Sequence, residues 1–339
     1  MKPIVSCLLR SVVIAIGMVP GLLAAAPDYV ELHAADGKRS FAGRPVAVVS
    51  LEKEVVRIDR KEGGEQDCKL ITFAEEDRAQ LKRWMERVAN DPQTVLNERL
   101  VAAETPAILC VGNSYSFRVP KVFEKIAKAE GRNVYVEQVT KGGWTLAQHA
   151  GSKETLAKIA SRKWDVVVIQ EQSLIPAFPP GQRDARMLPP LKLLVAEIER
   201  AGALPALYQT WGRRDGDRQN AAAFPNDTFA TMNERLSACF KAIRHAVPTL
   251  TGVPVGDAWA ARMKADKGAA LYAKDGSHPS AQGNYLAAAV FYSALYNAPV
   301  KHAPGEIGDA AVLNRLAARL GCHQLPAYPL PEQEPPSAP

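Results

Sequence analysis

The sequence predicts a three-layer α/β/α domain preceded by a small β-rich domain. From residue 107 onward, short apolar runs alternate with amphipathic helical patterns, and these runs lack the in–out alternation of half-buried strands. Before residue 91, β-prone runs are separated by turn residues and followed by one helical pattern. The chain of 339 residues is long enough for one large domain and a smaller one.

Residues 1–26 have the pattern of a secretory signal peptide. Lys2 and Arg10 supply positive charge, an apolar stretch follows, and small residues near Ala25 and Ala26 suit cleavage. The unbroken apolar run is too short to span a membrane, and no cysteine follows the small residues to carry a lipid. We therefore expect a periplasmic or secreted protein without a stable membrane anchor.

Residues 27–90 are expected to form the small domain, with a β-rich part up to residue 73 and a helix over 74–89. The segment "DGKRSFAGRPVAVVSLEKEVVRIDRKEGG", followed by "LITFAEEDRAQLKRW", resembles the Sla-homology type of small β-barrel found in exported bacterial proteins. The resemblance implies a barrel-like domain. Residues 91–106 are expected to be a linker.

The region 107–322 is the predicted α/β domain. Its strands are expected at 107–112, 133–139, 164–170, 203–210 and 252–256. Its helices are expected at 118–130, 153–162, 186–201, 227–246, 257–267 and 280–297, with one more before residue 322. The Pro-rich segment 323–339 is expected to be an extended or disordered tail.

Ligand sites of parallel sheets form at the carboxyl ends of the strands, where this chain carries "GNSYS", "TKGGW", "QEQS", "QTWGRR" and "DGSHPS". Ser114 follows the first of these strands directly. Taken alone, Gly112-Asn113-Ser114 is more typical of a turn and a helix N-cap than of a nucleophile.

His278 favours the nucleophile instead, since Asp275 precedes it by three residues and Pro279 disfavours a helix there. An Asp that orients a His, which then takes the proton of Ser114, is the arrangement of a catalytic triad.

An esterase also needs donors for the oxyanion. The backbone N–H groups of Ser114 and Gly143 are the predicted donors, with Gly142 as the alternative glycine. In "QEQS", Gln172 is the preferred side-chain donor and Gln170 the alternative.

Two further side chains at these strand ends have two interpretations each. Glu171 could serve the reaction, as an extra acid or as a hydrogen-bond acceptor for substrate, or it could form a structural ion pair, for example with Arg213 or Arg214. Trp211 could wall the substrate cleft or pack in the core.

Residues 107–297 resemble the SGNH (GDSL-type) hydrolases. Gly112-Asn113-Ser114-Tyr115 is similar to the Gly-Asp-Ser-Leu block, the Gly142-Gly143 turn to the second-block glycine, and "DGSHP" to the final Asp-x-x-His block. The family's Gly-x-Asn-Asp block is absent, and "QEQS" stands in its place. The resemblance implies a five-stranded parallel sheet in a flavodoxin-like order.

It also implies a serine esterase that needs no metal or organic cofactor. Small acyl esters are the expected substrates, with O-acetyl groups on polysaccharide foremost. A lipolytic or thioesterase-type enzyme on the same triad and an inactive carbohydrate-binding protein are the alternatives.

Charge and cysteine content narrow the choice of partners. The formal charge of +6 is spread as single residues rather than clustered, which gives a nucleic-acid partner little support.

No two cysteines have the spacing of metal ligands. Export would permit disulfides, with three possible pairings among Cys68, Cys110, Cys239 and Cys322, and the apolar run around Cys110 favours a buried thiol there. The oligomeric state is not predicted.

Overall fold

A computed structural model of the chain describes residues 29–266 and 270–330. The predicted signal peptide lies outside the described residues. The chain forms two compact units, one made of residues 29–95 with 324–330 and the other of residues from 96 to 323. Within the described ranges, no helix is both long and apolar enough to cross a bilayer.

The small unit contains an antiparallel meander of four strands in chain order. The strands are β1 (Val30–His33), β2 (Ser40–Ser50), β3 (Val55–Arg60) and β4 (Gly64–Lys69). Gly63 and Gly64 adopt positive φ angles of 117° and 72°, which the tight β3–β4 turn requires and which glycine accepts at little cost. Since β1 and β4 are the sheet's edges in the described part of the chain, the sheet is open and the expected barrel is not closed.

One face of this sheet is covered by helix α1 (Glu75–Ala89), as its apolar spacing predicts. Leu81, Trp84 and Met85 of α1 are buried in a core with Leu32 and Ile58 of the sheet.

The segment predicted as a tail adds to this core. Tyr328 is 9% exposed, and the Nε1 of Trp84 donates a hydrogen bond to the carbonyl of Pro326 at 3.0 Å. Up to residue 330 the segment is therefore extended but ordered against the small unit, which the sequence did not predict.

The expected linker is wrong for most of its length, because residues 92–102 form helix α2 (Pro92–Ala102). Asp91 accepts a hydrogen bond from the N–H of Thr94 at 2.8 Å, and Pro92 occupies the first helical position, where its missing N–H costs nothing. Leu96 and Leu100 are buried in a core of the large unit.

The large unit is built on a five-stranded parallel sheet in the order β6-β5-β7-β8-β9, with all registers parallel. Its strands are β5 (Ala107–Gly112), β6 (Tyr135–Thr140), β7 (Val166–Ile169), β8 (Leu204–Tyr208) and β9 (Thr251–Val253). This flavodoxin-like order confirms the predicted α/β fold.

Helices cover both faces of the sheet and complete three layers. They are α3 (Val119–Ala129), α4 (Leu146–Ala150), α5 (Lys153–Ala160), α6 (Pro180–Arg200), α7 (Phe229–Ala246), α8 (Val255–Ala265), α9 (Ala281–Tyr296) and α10 (Ala310–Gly321). Ile108 and Cys110 of β5 join the core under α3, α8 and α9, whereas Leu109 and Val111 join the core under α4 to α7. The strand is therefore buried on both faces, which explains its unbroken apolar run.

Each of the cysteines Cys68, Cys110, Cys239 and Cys322 is a free thiol, so none of the three possible pairings is formed. Cys110 is buried, as its place in the apolar run suggests, and burial raises the pKa of its thiol to about 12.

Candidate active site

Ser114 lies in a short 3₁₀ turn (Ser114–Ser116) between β5 and α3. The side chain of Asn113 caps this turn by accepting a hydrogen bond from the N–H of Tyr115 at 3.2 Å. Helix α3 begins only at Val119, so Ser114 is not the N-cap of the helix. The turn leaves Ser114 half-buried at the carboxyl end of the sheet, where its hydroxyl is within hydrogen-bond distance of a histidine.

Ser114, His278 and Asp275 form one hydrogen-bonded chain. The Nε2 of His278 lies 2.9 Å from the Oγ of Ser114, and its Nδ1 lies 2.5 Å from the Oδ2 of Asp275. Because an ionised carboxylate only accepts, Nδ1 donates to Asp275 and Nε2 is free to accept the serine proton. The sequence placed these three side chains together, and the structure brings them within hydrogen-bond distance.

The carboxylate of Asp275 is held in its ionised form. Partial burial raises its pKa, but the hydrogen bonds from the His278 side chain and from the N–H groups of Ser277 and His278 outweigh this and lower the pKa to about 2. The charged acceptor behind the imidazole is therefore present throughout the neutral range.

The loop that carries Asp275 and His278 is tied to the turn of Ser114 by aromatic residues. The hydroxyl of Tyr115 lies 2.6 Å from the Oγ of Ser277, and the Nε1 of Trp211 donates to the Ser277 carbonyl at 3.1 Å. Trp211 is fully buried and stacks on Tyr115 at 4.8 Å. Trp211 therefore packs behind the site and does not line a substrate cleft, which settles its two interpretations in favour of the core.

Gln170 has a structural role that the sequence did not predict. Its Oε1 accepts hydrogen bonds from the N–H of Asn113 at 3.0 Å and from the Oγ of Ser116 at 2.9 Å. Its Nε2 donates to the Oδ1 of Asn113 at 3.0 Å and to the carbonyl of Glu171. With both amide donors engaged and only 1% of the residue exposed, Gln170 is not an oxyanion donor, and that alternative is wrong.

The position of the Gln170 side chain explains why residue 112 is a glycine. A Cβ at this position would lie 2.6 Å from the Oε1 of Gln170, closer than real contacts allow. Glycine is therefore needed here for close approach, since its φ is not positive.

Gln172 is the other amide of "QEQS". Its Oε1 accepts a hydrogen bond from the N–H of Leu174 at 2.8 Å, while its Nε2 has no hydrogen-bond partner among the described residues. The side chain keeps a free donor, and its contact with an oxyanion stays a prediction.

Glu171 lines a small buried cavity with Met187 and Tyr208. Among the described residues it forms no ion pair with Arg213 or Arg214, so that interpretation is wrong, while its contact with a substrate stays a prediction. The residue is 2% exposed, and its Oε1 accepts hydrogen bonds from the N–H groups of Leu146 at 3.0 Å and Gln172 at 2.6 Å. Its Oε2 is buried and has no hydrogen-bond partner in the described ranges. Burial raises the pKa of Glu171 to about 7, against the lowering effect of the two N–H groups.

The loop between β6 and α4 carries the two predicted oxyanion glycines. Gly143 has a φ of +72°, a conformation that suits glycine. The Nδ2 of Asn113 donates to the Trp144 carbonyl at 2.9 Å, and Glu171 holds the first N–H of α4, which tethers the end of the loop next to α4. At the other end, the N–H of Lys141 donates to the Gly112 carbonyl at 3.1 Å. Within the described residues, the N–H groups of Ser114 and Gly143 have no hydrogen-bond partner, and their contact with an oxyanion stays a prediction.

His149, at the end of helix α4, is a buried histidine that supports the site. It is fully buried, with Nε2 2.9 Å from the carbonyl of Gly112 and Nδ1 3.0 Å from the Oγ1 of Thr155. Since the carbonyl only accepts, Nε2 carries the proton and Nδ1 accepts from Thr155. Burial lowers the pKa of His149, so the imidazole stays neutral and supports the end of β5. No motif in the sequence signals this contact.

Comparisons with known proteins give the fold alone. No family model and no curated protein matches the chain. A DUF4886 family protein from Bacteroides uniformis has a similar structure, with 20% identity over 64% of this chain and 94% of that chain and a TM-score of 0.55.

Lower likenesses include a lipase/acylhydrolase from Enterococcus faecalis (18% identity, 58% of this chain, 100% of that chain, TM-score 0.42). Another is the acetylxylan esterase Axe2 from Geobacillus stearothermophilus, with 17% identity over 56% of this chain and 94% of that chain and a TM-score of 0.41. The first likeness shows a shared fold, and the chemistry has to be argued from the site.

Proposed function

We propose that the protein is a serine esterase that hydrolyses small acyl esters. The observation that carries this proposal is the 2.9 Å contact between the Nε2 of His278 and the Oγ of Ser114, with Asp275 on the opposite ring nitrogen. A serine hydroxyl is a weak nucleophile unless an oriented base removes its proton as it attacks. An inactive binding protein would have no physical need for this geometry.

The proposed reaction proceeds through an acyl-enzyme. The Oγ of Ser114 attacks the ester carbonyl carbon while His278 takes the serine proton, and the resulting oxyanion lies against the N–H groups of Ser114 and Gly143. His278 then gives the proton to the leaving alkoxide as the C–O bond breaks. Water attacks the acyl-enzyme with His278 again as base, which releases the acid and restores Ser114.

Gln172 is the proposed third oxyanion donor, through its free Nε2. Export to the periplasm or medium, as the N-terminal sequence pattern predicts, would give the enzyme access to polysaccharides. O-acetyl groups on such polymers are therefore the proposed natural substrates.

A fluorophosphonate probe and p-nitrophenyl acetate test this proposal. The wild-type protein should react covalently with the probe and hydrolyse the ester, whereas Ser114→Ala should lose the label and its hydrolysis should fall by a factor on the order of 10³ or more. Ser116→Ala is a matched control, since it removes a neighbouring hydroxyl that bonds to Gln170 and not to His278, and it should keep the label and most of the ester hydrolysis. Equal ester hydrolysis by the wild type and Ser114→Ala would exclude the esterase.

A further inference from the structure

Phe117 is an apolar side chain in an unusual place. It is 46% exposed, although it follows Ser114 by only three residues and the nearby rings of Tyr115 and Trp211 are buried. Aromatic side chains contribute a large apolar contact area when they lie in a binding surface.

The ring of Phe117 lies against the loop between β6 and α4. Its Cζ is 4.0 Å from the position that a Cβ on Gly142 would take. Gly142 is itself exposed and has no side chain, so nothing on that residue covers the ring. The ring thus stands at the rim of the site, between the turn of Ser114 and the loop of Gly143.

The aromatic residue of this loop, Trp144, is already engaged. The Trp144 ring packs edge-on against His149 at 5.0 Å and carries the ammonium group of Lys141 at 4.5 Å from its centroid. The Phe117 ring, by contrast, has neither an aromatic nor a cationic partner among the described residues. Its face is available to a ligand.

We propose that Phe117 is a stacking platform for the sugar ring that bears the scissile ester, an inference that rests on the proposed esterase function. The apolar C–H face of a pyranose can pack on an aromatic ring while its hydroxyl groups stay in water. A half-exposed ring on an open rim suits such a ligand, whereas a long acyl chain would need an enclosed apolar pocket. Phe117 would therefore contribute to the binding of the alcohol part of the substrate and not to the chemistry at Ser114.

Kinetics on two substrates test this role. For Phe117→Ala, we expect kcat/KM on acetylated xylan to fall about tenfold, mainly through KM, while kcat/KM on p-nitrophenyl acetate stays within about twofold. Phe117→Trp should retain activity on the polymer, because it keeps an aromatic face. Leu193→Ala, which truncates another exposed apolar side chain at 63% exposure on α6, should leave both substrates unchanged. Equal values for Phe117→Ala and wild type on the polymer, or equal losses on both substrates, would overturn the proposal.

Binding without turnover separates this inference from the esterase proposal. In the Ser114→Ala background, adding Phe117→Ala should weaken the binding of acetylated xylo-oligosaccharides by about tenfold in calorimetry. Unchanged binding would reject the platform even if the enzyme is an esterase. If the wild type hydrolyses no ester but the platform mutation still weakens binding, the esterase proposal fails and the sugar site stands.

Discussion

Two carboxyl groups at the site show how local contacts set the charge of a single residue. Asp275 receives hydrogen bonds from an imidazole and two N–H groups, which bring its pKa to about 2 despite partial burial. Glu171 receives only two N–H groups while 2% exposed, so burial dominates and its pKa rises to about 7. The charge of Asp275 orients His278, whereas the carboxyl of Glu171 holds the start of α4.

Glu171 should make the stability of the protein depend on pH. Its pKa in the folded state, about 7, is above the ordinary value of 4.5, so the folded state holds the proton more tightly than the unfolded state does. The stabilisation that proton binding by Glu171 gives the folded state is fully present below pH 4.5. It is lost as pH rises through about 7. Between those limits the free energy of unfolding of the wild type should fall relative to Glu171→Gln by roughly 3 kcal/mol.

Urea unfolding of both proteins at a series of pH values measures this difference. Glu234→Gln, which removes an exposed carboxylate on α7, controls for the change in net charge. A constant difference between wild type and Glu171→Gln from pH 4 to 8 would show that folding does not change the pKa of Glu171.

At the scale of the elements, the end of β7 supports the turn that follows β5. Gln170 bonds to Asn113 and Ser116 across the gap between the two strands, and Asn113 in turn bonds to the loop before α4. Three consecutive strand ends in the sheet are therefore connected through buried amides. The position of Ser114 depends on this connection as well as on its own turn.

Gln170→Ala should disturb both stability and catalysis. The change leaves the Asn113 N–H without its acceptor and opens a cavity, so the free energy of unfolding should fall by about 2–4 kcal/mol. Because Ser114 is next to Asn113, kcat should fall at least tenfold with a smaller change in KM. Ser116→Ala, which removes one of the Gln170 contacts, should have a smaller effect on both. A normal kcat for folded Gln170→Ala would limit Gln170 to a role in stability.

The sequence predicts those elements whose pattern is local. Alternating apolar runs and helical spacing placed all five strands of the large sheet within a few residues, and Asp275 with His278 could be paired from their spacing on a loop. Helix α2 was missed because Asn90-Asp91-Pro92 also suits a turn, and only burial of Leu96 and Leu100 makes it a helix start. The contacts of Gln170 and His149 join residues 37 to 57 positions apart, and no periodicity carries that information.

At the scale of the whole molecule, the small unit is completed by both ends of the described chain. Residues 29–95 supply its sheet and α1, and residues 324–330 return to it after the large unit is finished. Leu325 and Leu330 pack around the same core as Tyr328. The sequence could not predict this return, since a Pro-rich segment has no helical or strand period to indicate what it contacts.

Tyr328→Ala should destabilise the small unit. The side chain is 9% exposed in the core that includes Trp84 and Phe73, so its truncation removes apolar contact and leaves a cavity. We expect the free energy of opening of the small unit to fall by about 2–4 kcal/mol. Hydrogen exchange of the β2 and β3 amides measures this directly, since exchange from a core strand follows the opening of its cooperative unit. Gln324→Ala, an exposed change in the same segment, should leave exchange unchanged. If Tyr328→Ala also left it unchanged, the C-terminal segment would lie on the small unit without contributing to its stability.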